Sequence, residues 1–201
     1  MIKKLIVPLV VLLLTTSVIR ATVITINPTD ARGIRDFHNG DGPFLLNSLL
    51  IKKGTEDRSV LEFDVSGLSE SIPLVTLDLS FGNLDYPEPP DGIIDVFTYI
   101  GDGIITADEF YVGGSTPFTS FVGENGPEYG FVSIDVTSVI QDILAADEQF
   151  IGFRLSTETS DRFDIGQAIG VPDPVLTAVP EPATVLLLAL GGLFLRRRRP
   201  K

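Results

Sequence analysis

The sequence predicts an all-β protein in which two antiparallel sheets pack face to face and one short helix lies against them. In the segment Leu74–Phe81, apolar residues alternate with Thr76, Asp78 and Ser80, which is the period of a strand with one buried and one solvent face. Turn-forming pairs such as Ser66-Gly67 separate several segments of this kind. Many short strands with one solvent face favour a sandwich over a parallel sheet.

The other candidate strands repeat this pattern along the chain. Leu61, Phe63 and Val65 alternate with Glu62 and Asp64, so that the two acids are expected on a solvent face. The remaining candidate strands are Val23–Ile26, Ser48–Lys52, Ile93–Tyr99, Gly130–Val136, Phe150–Leu155 and Pro174–Ala178.

One segment follows a helical period instead. The apolar residues that recur at this spacing are Val139, Ile140, Ile143 and Leu144. Ser138 and Gln141 have the spacing of a capping box, in which each side chain accepts a backbone N–H of the first turn. The pattern predicts one short helix near Thr137–Ala146 that crosses one end of the sandwich.

Charge is distributed unevenly over the 201 residues. Between Thr22 and Val179 there are 7 basic and 26 acidic residues, a net charge of −19, whereas the two ends of the chain are basic. An acidic body of this kind repels phosphate backbones and anionic lipid head groups. The composition therefore excludes nucleic acid as a partner, and it favours a neutral polysaccharide over an anionic one.

The N-terminal segment, residues 1–21, is predicted to be a signal peptide. Met1–Lys4 is basic, Leu5–Leu14 is apolar apart from Pro8, and cleavage is expected after Ala21. The alternative is an uncleaved N-terminal anchor. The signal peptide predicts export, and residues 22–178 are then the β-sandwich domain. The chain has no cysteine, but a domain of this size does not need disulfides to fold.

The C-terminal segment, residues 179–201, combines a short apolar run with a basic end. Ala183–Leu195 has 13 apolar or small residues, about 20 Å as a helix against a hydrocarbon core of about 30 Å. Pro182 suits a first helical turn but prevents extension of the helix towards the N-terminus. The membrane stop that follows keeps the C-terminus in the cytoplasm and consists of Arg196, Arg197, Arg198 and Arg199. A short transmembrane helix of this kind predicts a transient anchor.

Pro180-Glu181-Pro182, followed by that apolar run and the arginines, resembles a PEP-CTERM sorting signal. Such signals occur on exported proteins of Gram-negative, biofilm-forming bacteria that carry an exosortase, a membrane-embedded processing enzyme. The resemblance implies export across the inner membrane, transient anchoring, and release to the cell surface or extracellular matrix. It makes the exosortase and the export machinery the expected partners. The alternative is an ordinary single-pass tail.

The body has a second resemblance, carried by four segments. They are Arg58–Leu68, Tyr129–Leu144, Phe150–Thr157 and Pro172–Ala178, which resemble, in this order, the DNRLRE-type domain. This resemblance implies a jelly-roll β-sandwich, similar to some polysaccharide-binding modules of secreted bacterial proteins. The motif that gives the domain its name is absent, so that no binding residue is carried over.

Catalysis has little support in the sequence. His38 is the one histidine, there is no cysteine, and no G-x-S-x-G nucleophile motif is present. A pair of carboxylates would suffice for glycoside hydrolysis, but with so many acids some pair falls at the right separation by chance. We therefore expect a protein without enzymatic activity.

A metal site is predicted in one loop. Gly101–Phe110 resembles the second half of an EF-hand loop, with Asp102 at position 5, Glu109 at position 12, and Asp108 as a further acid. The first half of the motif is absent. The alternative is a turn that leaves the strand Ile93–Tyr99. Structural calcium is the one cofactor that the sequence suggests.

Two functions of different classes follow from these observations. The first is a non-catalytic structural or adhesive sandwich at the cell surface or in the biofilm matrix. The second is a carbohydrate-binding module, or more remotely a carbohydrate-active enzyme. Sugar sites use exposed aromatic rings, and Tyr86 and Tyr111 stand in loop sequences that could expose them. The alternative, which the sequence favours, is that both rings pack in the core or at its rim.

Overall fold

The computed structural model describes residues 22–37, 41–52, 56–82, 92–123, 130–158, 163–166 and 172–180. In these residues the elements, in chain order, are β1 (Ile24–Ile26), β2 (Asp30–Arg35), β3 (Phe44–Leu46), β4 (Leu50–Ile51), β5 (Asp57–Asp64), β6 (Leu74–Gly82), β7 (Gly92–Ile100), a 3₁₀ helix (Ala107–Tyr111), β8 (Thr119–Gly123), β9 (Gly130–Asp135), α1 (Thr137–Ala145), β10 (Phe150–Ser156), β11 (Phe163–Ile165) and β12 (Val175–Val179). Thr25–Ala178 forms one compact unit.

The strands form two six-stranded sheets. The first sheet has the order β1-β12-β6-β11-β4, with β9 also paired to β6, and the second sheet has the order β3-β2-β5-β10-β7-β8. The pairs within the second sheet are antiparallel throughout. The prediction of an all-β fold with antiparallel sheets and one α-helix is confirmed.

The main core lies between the two sheets. Leu77 and Leu79 of the first sheet meet Leu61, Phe63 and Phe153 of the second sheet in one cluster of fully buried side chains. The rings of Phe63 and Phe153 pack edge to face with centroids 5.9 Å apart. These are residues that the period-two pattern assigns to the buried face, because a strand turns every second side chain to the same side.

Four strands were missed by the pattern, namely β2, β3, β8 and β11. The segment of β2 reads as polar because Asp30 and Arg32 alternate with small residues. Gly33 is needed there, since a Cβ at that position would lie 2.2 Å from the carbonyl oxygen of Ser48. Because this close approach of two backbones requires glycine, position 33 carries no apolar side chain. The alternation that would have indicated a strand is therefore interrupted.

Helix α1 is where the sequence places it, but its predicted cap is wrong. The N-cap is Val136, which makes no side-chain cap hydrogen bond. The Gln141 amide instead donates to the carbonyl oxygen of Ile72 at 2.9 Å. Thr137 donates through its backbone N–H and its hydroxyl to the Asp135 carboxylate at 2.9 and 2.6 Å. These hydrogen bonds lower the pKa of Asp135 below its usual range.

Several predicted features lie outside the described residues. They are the signal peptide, His38, Tyr86, most of the C-terminal sorting segment, and its short apolar run. Among the residues that the structure describes, no helix is long and apolar enough to cross a membrane.

Candidate functional site

The predicted sorting motif begins where the last strand ends. β12 runs from Val175 to Val179, and Pro180, the first residue of the motif, follows it directly. Proline has no N–H to donate to a neighbouring strand, so the strand stops there. Glu181, Pro182 and the four arginines Arg196–Arg199 lie outside the described residues.

The loop predicted to bind a metal forms a turn and then a helix cap. The Asp102 carboxylate accepts the backbone N–H of Ile104 at 3.0 Å, and Gly103 has a φ of +90°. A positive φ of this size suits glycine because it has no Cβ. The backbone N–H of Gly103 donates to the Glu62 carboxylate at 2.6 Å.

The other two predicted ligands belong to the 3₁₀ helix. Thr106 is its N-cap, and Glu109 completes a capping box by accepting the backbone N–H of Thr106 at 2.7 Å and its hydroxyl at 2.5 Å. Asp108 lies in the first turn, and its backbone N–H donates to the Thr106 hydroxyl. Within the described ranges, no group of three or more acidic or histidine side chains could hold a metal ion. The calcium site remains a prediction.

The second sheet has a covered outer face, which corrects the expectation of a solvent face at Glu62. Residues 101–118, here called the covering segment, contact this face through a small second core of Ile34, Val60, Ile105 and Phe110. Glu62 is fully buried, at 0% exposure. The alternation of the strand is as predicted, but an additional layer of chain lies over its polar side.

Buried Glu62 connects the outer face to the covering segment. Its carboxylate accepts the Tyr99 hydroxyl at 2.8 Å and the backbone N–H of Gly103 at 2.6 Å, and none of the described basic residues forms an ion pair with it. Burial and the hydrogen bond to Glu62 raise the pKa of Tyr99 above its usual range. A buried carboxylate is tolerated when such donors replace water.

The Tyr99 ring is positioned by the absence of a side chain at Gly152, its partner in the β7–β10 register. A Cβ on Gly152 would lie 2.0 Å from Cζ of Tyr99. The Tyr99 ring therefore occupies the space that the side chain of any residue other than glycine at position 152 would fill. Gly101 has a similar function, because a Cβ there would lie 2.7 Å from the Glu62 carboxylate.

Two arginines on the same outer face hold the far end of the covering segment. Arg58 stacks over the ring of Phe110 at 3.9 Å and Arg154 over the ring of Phe97 at 4.0 Å. Both donate to the carbonyl oxygen of Phe110, and Arg154 also donates to that of Gly114 at 3.2 Å. Stacking on aromatic rings while donating in the guanidinium plane is an arrangement that arginine favours and lysine cannot copy.

Arg154 is a buried cation without a carboxylate partner among the described residues. It is 4% exposed, and its Nε has no hydrogen-bond partner. Burial, together with repulsion from Arg58, lowers the pKa of Arg154 to about 10. Burial also lowers the pKa of Arg58, which contacts Glu56 at 3.6 Å. Both groups remain charged at neutral pH, so two positive charges lie close together on this face, with Glu56 beside Arg58.

Tyr111 presents an exposed aromatic ring beside these arginines. The side chain is 63% exposed, yet its hydroxyl donates to Asp36 at 3.2 Å and its ring packs edge to face on Phe110, with centroids 4.9 Å apart. An exposed ring that is fixed at both ends is a suitable surface on which a sugar ring could stack. Tyr111 is therefore exposed rather than packed in the core, but it is the last residue of the 3₁₀ helix and not part of a loop.

These residues line one cleft of about 330 Å³, here called the arginine cleft. Its lining includes Arg58, Asp95, Phe97, Tyr111, Arg154 and Glu158. Sequence reasoning missed it. The signal that could have revealed it is that two of only seven basic residues in the body stand inside strands that otherwise supply the core.

A larger, more open depression of about 680 Å³ lies near the C-terminal end of α1. Its lining includes Ser66, Glu70, Leu144, Asp147 and Glu148. Its lining residues include no cation and no aromatic ring. It offers no ring on which a sugar could stack, so the arginine cleft is the better candidate.

Comparison with known proteins identifies the C-terminal segment. Residues 178–199 match the PEP-CTERM protein-sorting motif. The chain carries a PEP-CTERM sorting motif. This motif indicates export and sorting to the cell surface and implies an exosortase as the processing partner. No curated protein matches the chain.

One solved structure similar to the chain is that of a family 35 carbohydrate binding module from Clostridium thermocellum. The two chains are 12% identical, with a TM-score of 0.35, and the match covers 78% of this chain and 98% of that one.

Proposed function

We propose that the protein is exported across the inner membrane of a Gram-negative bacterium and processed at Pro180-Glu181-Pro182. Its body is then a non-catalytic adhesive β-sandwich at the cell surface or in the biofilm matrix. The PEP-CTERM motif at residues 178–199 is the observation that carries this proposal. In this proposal residues 1–21 are removed as a signal peptide, residues 22–178 are the mature domain, and residues 179–201 anchor the chain transiently.

The position of the motif in the fold supports processing without damage to the sandwich. β12 is hydrogen-bonded to β6 in the first sheet and ends at Val179. Cleavage at or after Pro180 therefore removes no residue of a described strand. A cut a few residues earlier would remove Leu176 and Ala178, both of which are fully buried.

The experiment is mass spectrometry of the mature protein from a host that makes an exosortase. We expect a C-terminus near Pro180 in the parent protein and unprocessed chain in the membrane for Glu181→Ala. The chain supplies a matched control, because Pro87-Glu88-Pro89 is a second Pro-Glu-Pro tripeptide without a following apolar run. Glu88→Ala should be processed normally. Native protein that keeps Leu195 and the arginines would show that the tail is a plain anchor.

We propose polysaccharide binding as the activity of the adhesive domain. The exposed and fixed Tyr111 ring in the arginine cleft favours this over a purely structural role, because such rings stack on sugar faces. The test is a glycan array probed with the full chain in mild detergent, with Tyr111→Ala as the variant. Glycan binding that Tyr111→Ala abolishes supports this function, and binding that the substitution leaves unchanged excludes the cleft as its site.

A further inference from the structure

The arginine cleft does not share the strong negative charge of the protein as a whole, because two arginines, Arg58 and Arg154, line it together with two acids, Asp95 and Glu158. The body carries a net charge of −19, and this value predicts a neutral polysaccharide as ligand. However, Arg58 and Arg154 lie side by side in the cleft, and repulsion between them is one cause of the lowered pKa of Arg154. Distant surface acids are screened beyond about 8 Å at physiological salt. The charges inside the cleft therefore decide which ligand it takes.

Arg58 contacts the Glu56 carboxylate at 3.6 Å, but no hydrogen bond of Arg154 among the described residues neutralises its charge. Arg154 donates to the carbonyl oxygens of Phe110 and Gly114, which are neutral acceptors. They satisfy hydrogen-bonding groups but leave the positive charge uncompensated in a buried setting, where an unpaired charge is costly. A bound anion would compensate it, and guanidinium groups pair with planar or tetrahedral oxyanions in a directed way.

The acids in the lining indicate what else the ligand must offer. Asp95, which accepts the hydroxyl of Ser120, and Glu158 both line the cleft with the two arginines. Carboxylates repel a bare anion such as phosphate, but they accept hydrogen bonds from hydroxyl groups. A sugar acid supplies both an anionic group for the arginines and hydroxyls for the carboxylates.

We propose that the arginine cleft binds one unit of an acidic polysaccharide, with the carboxylate or sulfate group of that unit at Arg58 and Arg154 and its sugar ring against Tyr111. This inference rests on the polysaccharide-binding function proposed above and specifies the class of its ligand. The role of the arginines in holding the covering segment is compatible with it, because their existing hydrogen bonds keep the guanidinium groups fixed before a ligand arrives.

The test is calorimetric titration of the full chain, in mild detergent at physiological salt, with matched pairs of oligosaccharides. The probes are trisaccharides of galacturonate, glucuronate and mannuronate, each as the free acid and as the neutral methyl ester, together with a sulfated disaccharide and inorganic sulfate. We expect at least one acidic probe to bind ten-fold or more tightly than its neutral counterpart. A preference for the sulfated disaccharide over all uronates would identify sulfate as the recognised group.

Three substitutions separate the cleft from the general charge of the protein. Arg58→Gln should weaken binding of the acidic probe at least ten-fold. Arg32→Gln, which removes the same charge at an arginine that pairs with Asp30, should leave binding unchanged. Glu158→Gln should strengthen binding several-fold, since it removes a repelling charge from an exposed position and keeps an oxygen that can accept a hydrogen bond from a sugar hydroxyl. This last variant keeps the test decisive if Arg58→Gln fails to fold.

The possible failures are distinguishable. If every acidic probe fails to bind, or if acid and ester bind equally, the inference is overturned. If a neutral glycan binds and Tyr111→Ala abolishes that binding, the proposed polysaccharide function stands and the charge preference alone is wrong. If inorganic sulfate binds as tightly as the oligosaccharides, the part assigned to the sugar ring is wrong.

Discussion

Removing the Tyr99 hydroxyl should destabilise the protein through Glu62. Tyr99→Phe keeps the ring that packs over Gly152 and deletes only the donor 2.8 Å from the Glu62 carboxylate. Because Glu62 is fully buried, water cannot replace the lost donor. A hydrogen bond to a charged group contributes about 1.5–3 kcal/mol, which for a domain of this size lowers the melting temperature by about 3–12 °C.

The assay is denaturant unfolding at pH 7, followed by circular dichroism. Tyr111→Phe is the matched control, since it also removes a tyrosine hydroxyl that donates to a carboxylate, but from a side chain that is 63% exposed. It should cost less than Tyr99→Phe. An unfolding free energy of Tyr99→Phe within about 0.5 kcal/mol of the parent would refute the conclusion that Glu62 depends on this hydrogen bond.

The same substitution should change stability at alkaline pH. The pKa of Tyr99 is raised in the folded state, so above pH 10 the unfolded chain loses this proton while the folded protein keeps it. The contribution of this pKa difference to the free energy of unfolding is complete below pH 10. It declines as pH rises, by about 1.4 kcal/mol per pH unit for one proton. Between pH 10 and pH 11, the parent should therefore lose stability more steeply than Tyr99→Phe. An equal dependence of the unfolding free energy on pH in the two proteins would contradict the raised pKa of Tyr99.

Three further predictions concern the core, the glycine under Tyr99 and the metal. Phe153→Ala should cost about 3–5 kcal/mol in chemical unfolding, because it empties a fully buried site between the sheets. Gly152→Ala should lower the melting temperature by placing a methyl group inside the Tyr99 ring, and Tyr99→Phe should not rescue it. If the predicted loop holds calcium, a chelator should lower the melting temperature by mass action. Asp102→Ala combined with Glu109→Ala should abolish that difference, and a parent protein unaffected by chelator would exclude the site.

The exported character of the protein can be predicted from local sequence alone. A Pro-Glu-Pro tripeptide, a short apolar run and four arginines are contiguous, and their meaning depends on length and order rather than on tertiary contacts. The matched sorting motif at residues 178–199 agrees with that prediction. The strand pattern is local in the same sense, since every second residue of β6 faces the core whatever lies on the other side.

Only the tertiary structure shows that another segment of the chain covers the polar side of the second sheet. Glu62 reads as a solvent-exposed acid, but Tyr99 and Gly103, 37 and 41 residues away, make it a buried acceptor. In the sequence Arg154 only interrupts an apolar strand, but in the structure it donates a hydrogen bond to the carbonyl oxygen of Phe110, 44 residues away. Periodicity along a chain reports which side a residue faces. It cannot report whether a distant segment covers that side, because the covering contacts join residues that are neighbours only after folding.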